Sequence, residues 1–137
     1  MDILTQVYIY AIIISRNDIS RNDVIQVKGF LKNMGNSNTA LTETTFYILL
    51  SLQTPSHGYA IMQNIKTITN ERVRMGAGTL YGALSALNDK GFIKECECKD
   101  PTKREYVITE HGKAALKKEI DRLFELTYNA EKYFKGE

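Results

Sequence analysis

At 137 residues, with 43% hydrophobic and 25% charged content, the chain has the size and balance of one ordinary globular domain with room for an arm. A formal net charge of +2 neither demands a polyanionic partner nor excludes one, because a binding face can be locally basic. Cys96 and Cys98 make no disulfide framework and, with His57 and His111 far off in sequence, no zinc site; a reducing cytoplasm and no metal are expected.

Residues 3–14, "ILTQVYIYAIII", are the most apolar run. The run is shorter than the ~20 residues that span a bilayer, and Asp2 stands where a signal peptide would carry basic residues. It reads as a buried or partner-covered segment, helix or strand undecided, and no membrane partner is expected. "SRND" then occurs twice, at 15–18 and 20–23, before an amphipathic helix with Val24, Val27, Leu31 and Met34 on one side and a polar linker, "MGNSNTA". Residues 1–40 are thus read as an N-terminal extension of uncertain structure. Met34 is a second possible start, since Lys28-Gly29 is encodable by a purine-rich ribosome-binding sequence. The intact mass of the protein from its own host tests this hypothesis, and a chain beginning at Met1 would overturn it.

From Leu41 the pattern sharpens. Thr42 and Glu43 are helix-start signals, followed by Phe46, Leu49, Leu50 and Leu52 at helical spacing. "TPS" at 54–56 interrupts, and Ser56 is expected to cap a second helix, "HGYAIMQNIKTIT". In it Tyr59, Met62, Ile65 and Ile68 recur at helical intervals, which makes Tyr59 partly core. His57 is expected to make a structural hydrogen bond at that helix start rather than to do catalysis. "NERVRM" is a connecting loop or one short strand.

A third helix follows in "GAGTLYGALSALNDKG", with Leu80, Ala83, Leu84 and Leu87 as a core stripe and Gly91 as its left-handed cap. Its opening is unusual: glycines and alanine, then Thr79 and Tyr81, with no charge before Asp89. Such a bare first turn suits a helix that must press against something else. Two strands come next, "FIKECECK" and "REYVIT", with Tyr106 and Ile108 on one side of the second. "DPT" at 100–102 turns between them, Pro101 presetting φ, and Lys99, Lys103 and Arg104 make the tip basic. Thr109 caps a last helix in which Leu116, Ile120, Leu123, Thr127, Ala130 and Phe134 recur every three or four residues, roughly seven turns.

Three helices and a basic-tipped hairpin are the winged helix-turn-helix order, in which the third helix enters the major groove with its N-terminal end leading. The expected fold is mainly α with a small β hairpin: a winged helix-turn-helix at 41–109 and a long C-terminal dimerisation helix at 110–137. "HGYAIMQNI", "GAGTLYGALSALNDKGFIKE" and "KREYVITEHGKAAL" closely resemble the PadR family of bacterial transcriptional regulators. HGY, GTLY, L-x-x-L-x-x-x-G-x-I and Y-x-I-T-x-x-G all occur in order, covering the chain from about Leu41 but not the first 40 residues. The resemblance implies a cytoplasmic, homodimeric repressor bound to an inverted repeat in double-stranded DNA, dimerising through its C-terminal helix. Many members carry Pro at the position of Gly82, so this chain departs from the pattern in the first turns of its third helix.

The DNA-contact set expected from these readings is Tyr59, Arg72, Arg74, Ala77, Gly78, Thr79, Tyr81, Ser85, Lys99, Lys103 and Arg104. Without Arg, Lys, Asn or Gln before Asn88, the third helix offers no bidentate base reader, so Arg72, Arg74, waters or DNA shape would carry specificity. The dimer contacts expected are Leu116, Ile120, Leu123, Phe124, Thr127 and Phe134. Phe46, Tyr47, Phe124 and Tyr128 are read as core packing first, and second as walls for a small-molecule effector between subunits. Nothing assembles a catalytic residue set or a cofactor site, so no enzyme is expected. The rival reading is a winged-helix protein-interaction module without DNA binding.

Overall fold

The structure, a computed structural model, describes residues 40–136; the apolar run at 3–14, the repeated "SRND", the helix of Val24 to Met34 and most of the linker lie outside them. In chain order the elements are α1 (Glu43–Ser51), β1 (Ser56–His57), α2 (Gly58–Ile68), α3 (Ala77–Asp89), β2 (Ile93–Cys96), β3 (Glu105–Ile108) and α4 (Glu110–Tyr133). Residues 40–120 lie in one compact unit, and residues 121–136 belong to a second.

The helix starts follow capping chemistry. Thr42 is the N-cap of α1, its hydroxyl accepting from the Thr45 N–H at 3.2 Å. For α2 the expected cap, Ser56, is displaced by its neighbour: His57 Nδ1 accepts the Ala60 N–H at 3.0 Å. Ser56 is instead drawn into β1, where it pairs with Tyr106. Thr109 caps α4 as expected, accepting the Gly112 N–H at 3.1 Å. The α3 N-cap, Gly76, offers no side chain, so no side-chain cap satisfies the donors of that helix end. At the other end of α3, Gly91 has φ +71 and terminates the helix as the sequence suggested.

The sheet has three strands in the order β1-β3-β2, both pairings antiparallel. The hairpin was expected; the two-residue third strand was not. Ile93 pairs with Ile108 at the open end, away from the turn, and the Ile108 N–H donates to the Leu52 carbonyl at 3.0 Å, tying the hairpin to the end of α1. Pro101 lies within the expected turn, closed by Lys103 N–H to the Asp100 carbonyl at 3.0 Å. Asp100 Oδ1 accepts from the Thr102 N–H at 3.0 Å and from its hydroxyl at 2.6 Å. These bonds, ahead of the Lys103 ammonium, hold the Asp100 carboxyl below the usual carboxylate range.

The core gathers Ile48, Leu49 and Leu52 of the first helix region, Ile61 and Ile65 of α2, Leu80, Leu84 and Leu87 of α3, and Ile93, Tyr106, Ile108 and Leu116. The stripe on α3 is as read. That on α2 holds in part: Ile65 is buried and Met62 packs against the core as read, but Gly58 and Ile61 complete the buried face, whereas Tyr59 and Ile68 are exposed, so Tyr59 is not core. The loop after α2 is no strand. Asn70 and Glu71 both adopt positive φ, at 49 and 63, and buried Thr69 fixes the turn by donating to the Ile65 carbonyl and accepting from the Val73 N–H. Leu116 is buried in the core of this unit and Ile120 packs against it, so the first turns of α4 cover the domain itself. Phe46 and Tyr47 also pack on the core, edge to face at 5.6 Å between centroids.

Candidate nucleic-acid interface

The first turns of α3 carry a continuous exposed face: Ala77, Gly78, Thr79, Tyr81, Gly82 and Ser85 face solvent, while Leu80, Ala83 and Leu84 turn inward. A β-carbon added at Gly76, Gly78 or Gly82 would meet nothing within 4 Å. No internal contact therefore requires these glycines. Yet glycine inside a helix costs roughly 0.5–1 kcal/mol relative to alanine. One use of glycine that fits an outward-facing position is close approach of another molecule to the backbone.

Beside this surface lies an open cleft of about 470 Å³ lined by His57, Gly58, Tyr59, Tyr81, Thr102, Lys103 and Arg104. It joins the starts of α2 and α3 to the tip of the hairpin. Gly58 shapes its floor: a β-carbon there would sit 2.7 Å from the Tyr81 hydroxyl oxygen, so the glycine makes room for the end of that ring. Tyr81 is 52% exposed and Tyr59 65%, so both present ring and hydroxyl to solvent. The three letters of "HGY" thus divide the work into a cap, a gap and an exposed aromatic.

The cations of the site are mostly engaged. Arg104 lies 3.5 Å from Glu95, Lys103 lies 3.6 Å from Asp100, and Arg74 lies 2.9 Å from Glu71, which also holds Lys66 at 3.1 Å. Arg72 pairs with Glu43. The Arg72 guanidinium holds the Glu43 carboxyl below its ordinary range, and Lys66 first, then Arg74, does the same for Glu71. Lys99 is exposed and has no ion pair among the described residues. All these pairs are exposed and screened by solvent, so a phosphate can exchange for the carboxylate. The sequence reading missed the acidic partners. Glu71 and Arg74 are three apart, which was a signal; Glu43 and Arg72 are 29 apart, which gives none.

Glu71 also sits in the left-handed region, where a non-glycine residue costs of order 1–3 kcal/mol. Its two ion pairs are exposed and screened by solvent, so they are a weak compensation for that strain. Stability alone therefore gives no reason for glutamate over glycine or asparagine there.

Cys96 ends β2 and Cys98 lies beyond it, both half-buried. Burial first, then Glu105, pushes the Cys96 thiol up, which disfavours a thiolate ligand. Among the described residues no three His, Cys, Asp or Glu are grouped to hold a metal. His111 packs its ring against Phe92 at 4.9 Å. No described helix is long and apolar enough to cross a membrane.

Of the expected dimer contacts, Leu123 and Phe134 are exposed, the latter just past the end of α4, and Leu126 is exposed with them. Thr127 is exposed and its hydroxyl donates to the Leu123 carbonyl; Phe124 and Tyr128 are half-buried.

The sequence pattern of the transcriptional regulator PadR-like family matches residues 46–118, more than half of the chain. The chain belongs to this family. A transcriptional regulator from Clostridium thermocellum is 29% identical, with a TM-score of 0.57 over 69% of this chain and 93% of that one. A PadR family transcriptional regulator from Eggerthella lenta has a TM-score of 0.58 over 85% of this chain and 96% of that one; at 18% identity it speaks for the winged-helix fold alone. A 37.1 kDa protein in transposon TN4556 of Streptomyces fradiae is 34% identical over 73 residues, 53% of this chain and 20% of that protein. The chain spans about a fifth of the length of that curated relative. PadR-like proteins are transcriptional regulators, and the match over residues 46–118 places this chain among them. The family motifs now have physical reasons. In GTLY, Leu80 anchors α3 and its neighbours stay outside; in Y-x-I-T-x-x-G, Tyr106 and Ile108 fill the core, Thr109 caps α4, and Gly112 allows a backbone contact.

Proposed function

We propose that the protein is a homodimeric repressor that occupies an inverted-repeat operator in double-stranded DNA. The observation that carries this is the bare outer face of α3, whose glycines no internal contact requires, set beside a cleft with Lys103 and Arg104 on its rim. In this reading Ala77, Gly78, Thr79 and Ser85 enter the major groove, and the N–H groups of the α3 start approach phosphate. Tyr59 and Tyr81 flank the DNA backbone, while Lys99, Lys103 and Arg104 follow it from the wing. Arg72 and Arg74 stand beside the α3 start and exchange their carboxylate partners for phosphates. Residues 41–109 act as the DNA-binding domain and 110–137 as the dimerisation helix.

The exposed Leu123, Leu126, Thr127 and Phe134, with Phe124, provide the dimer surface; Leu116 and Ile120 serve the domain core instead. A dimer presents its two α3 helices to half-sites about one helical turn apart. A small-molecule effector would act by binding one dimer geometry more tightly than the other.

The test is a gel shift with the DNA upstream of the protein's own gene at two salt concentrations. A complex that weakens steeply with salt is expected, because each phosphate contact releases counterions. Tyr81→Ala should weaken it by about tenfold, roughly 1.4 kcal/mol, with the melting temperature unchanged within a few degrees. A folded dimer that forms no salt-sensitive complex would overturn the reading in favour of a protein-interaction module.

A further inference from the structure

We propose that Glu71 is an internal competitor for phosphate: its carboxylate occupies Lys66 and Arg74 in the free protein, and DNA of any sequence must displace it to bind. The inference rests on the docking of α3 described above, and it adds a residue that restrains that docking.

Three independent observations meet at this residue. First, one carboxylate holds two cations, Lys66 at 3.1 Å and Arg74 at 2.9 Å, while the Glu71 carbonyl accepts from Arg74 Nε at 3.3 Å. The guanidinium is thus held by both the main chain and the side chain of the same residue, in the way a phosphate oxygen pair would hold it. Second, Arg74 stands two residues before the N-cap of α3, at the helix end that no side chain caps. A cation there is well placed for a duplex backbone. Third, glutamate is kept at φ +63, where glycine or asparagine fits with less strain.

The turn does not need this carboxylate to hold its shape. Thr69 donates to the Ile65 carbonyl at 2.8 Å and accepts from Val73 at 3.1 Å, and the Glu71 N–H donates to the Lys66 carbonyl at 2.7 Å. All three ionic side chains are well exposed, so exchange of carboxylate for phosphate needs no rearrangement of the core. Lys66, ahead of Arg74, holds the Glu71 carboxyl below the usual range, which keeps it ionised at neutral pH.

The consequence is quantitative. A regulator meets a vast excess of non-cognate DNA, so weak binding to arbitrary sequence matters as much as tight binding to the operator. A charge that competes for two phosphate-binding cations lowers that background.

The experiment measures binding of the full-length protein to a duplex of arbitrary sequence by fluorescence anisotropy across a salt series. Glu71→Asn, which suits positive φ, and Glu71→Gln, which keeps the side-chain length, are compared with wild type. Both should bind about three- to tenfold more tightly at low salt, and the gain should shrink as salt screens the competing carboxylate. In a Lys66→Gln, Arg74→Gln background the same changes should have no effect. If wild type binds with a clear salt dependence and neither variant binds more tightly, the competitor role is overturned while DNA binding stands. If wild type shows no salt-sensitive binding to this duplex or to its own upstream DNA, the proposed function itself fails. Because Asn and Gln differ in backbone preference, agreement between them separates lost charge from relieved strain.

Discussion

Gly112→Ala should destabilise the protein by about 1–3 kcal/mol, although alanine is the better helix former. A β-carbon at position 112 would lie 2.0 Å from the Phe92 carbonyl oxygen, with Ile108 Cγ1 at 2.8 Å. That carbonyl is fixed, since it accepts the Thr109 N–H at 3.0 Å. Relief of the overlap means moving the start of α4 away from the loop before β2, which strains or breaks that bond. Overpacking of this kind costs about 1–3 kcal/mol and a lost hydrogen bond about 1 more, against about 1 kcal/mol returned by helix propensity. Urea titration at fixed protein concentration checks this: the midpoint should fall while the slope stays constant. An unchanged midpoint would mean that the close approach of Gly112 to Phe92 does not exist in solution.

The same substitution on α3 should do the opposite. Gly78→Ala with Gly82→Ala should raise stability by about 1 kcal/mol, most of it from Gly82 in the helix interior, and the melting temperature by roughly 5 °C. The added methyls meet nothing inside the protein. They stand instead on the face assigned to DNA, where each would hold an approaching backbone away. Operator affinity is expected to drop by about tenfold or more. Calorimetry and anisotropy on one preparation test both halves, and a stabilised variant with full DNA affinity would remove α3 from the interface. Gly112 and Gly82 thus separate two uses of glycine, one for packing inward and one for keeping an outer surface low.

The helices were legible because their apolar stripes are strong. Leu80, Leu84 and Leu87 repeat without interruption, and Gly91 closes them. Strand β1 was illegible because two residues carry no alternation, and its pairing with Tyr106 and Glu105 is a long-range fact. That pairing also explains the cap of α2. Ser56 is the better cap by residue type, but held in a strand it leaves the role to His57. The misplacing of Tyr59 has a similar origin: Gly58 occupies the buried stripe of α2 without a hydrophobic side chain to announce it, so the exposed tyrosine beside it took its place in the pattern. At the interface the bare α3 start was visible in the letters. The carboxylates that restrain its cations were not, because ion pairs depend on how turns fold back, and Glu71 gives no sign of its positive φ.

The hairpin tip has one further implication. Pro101 locks a torsion, the Asp100 side chain anchors Thr102, and the turn closes on itself before any duplex is present. An arm already bent in this way surrenders little conformational freedom on landing, so attraction between charges is not consumed in ordering it. A floppier finger would sweep a wider volume, yet each arrival would begin with a search through its own shapes.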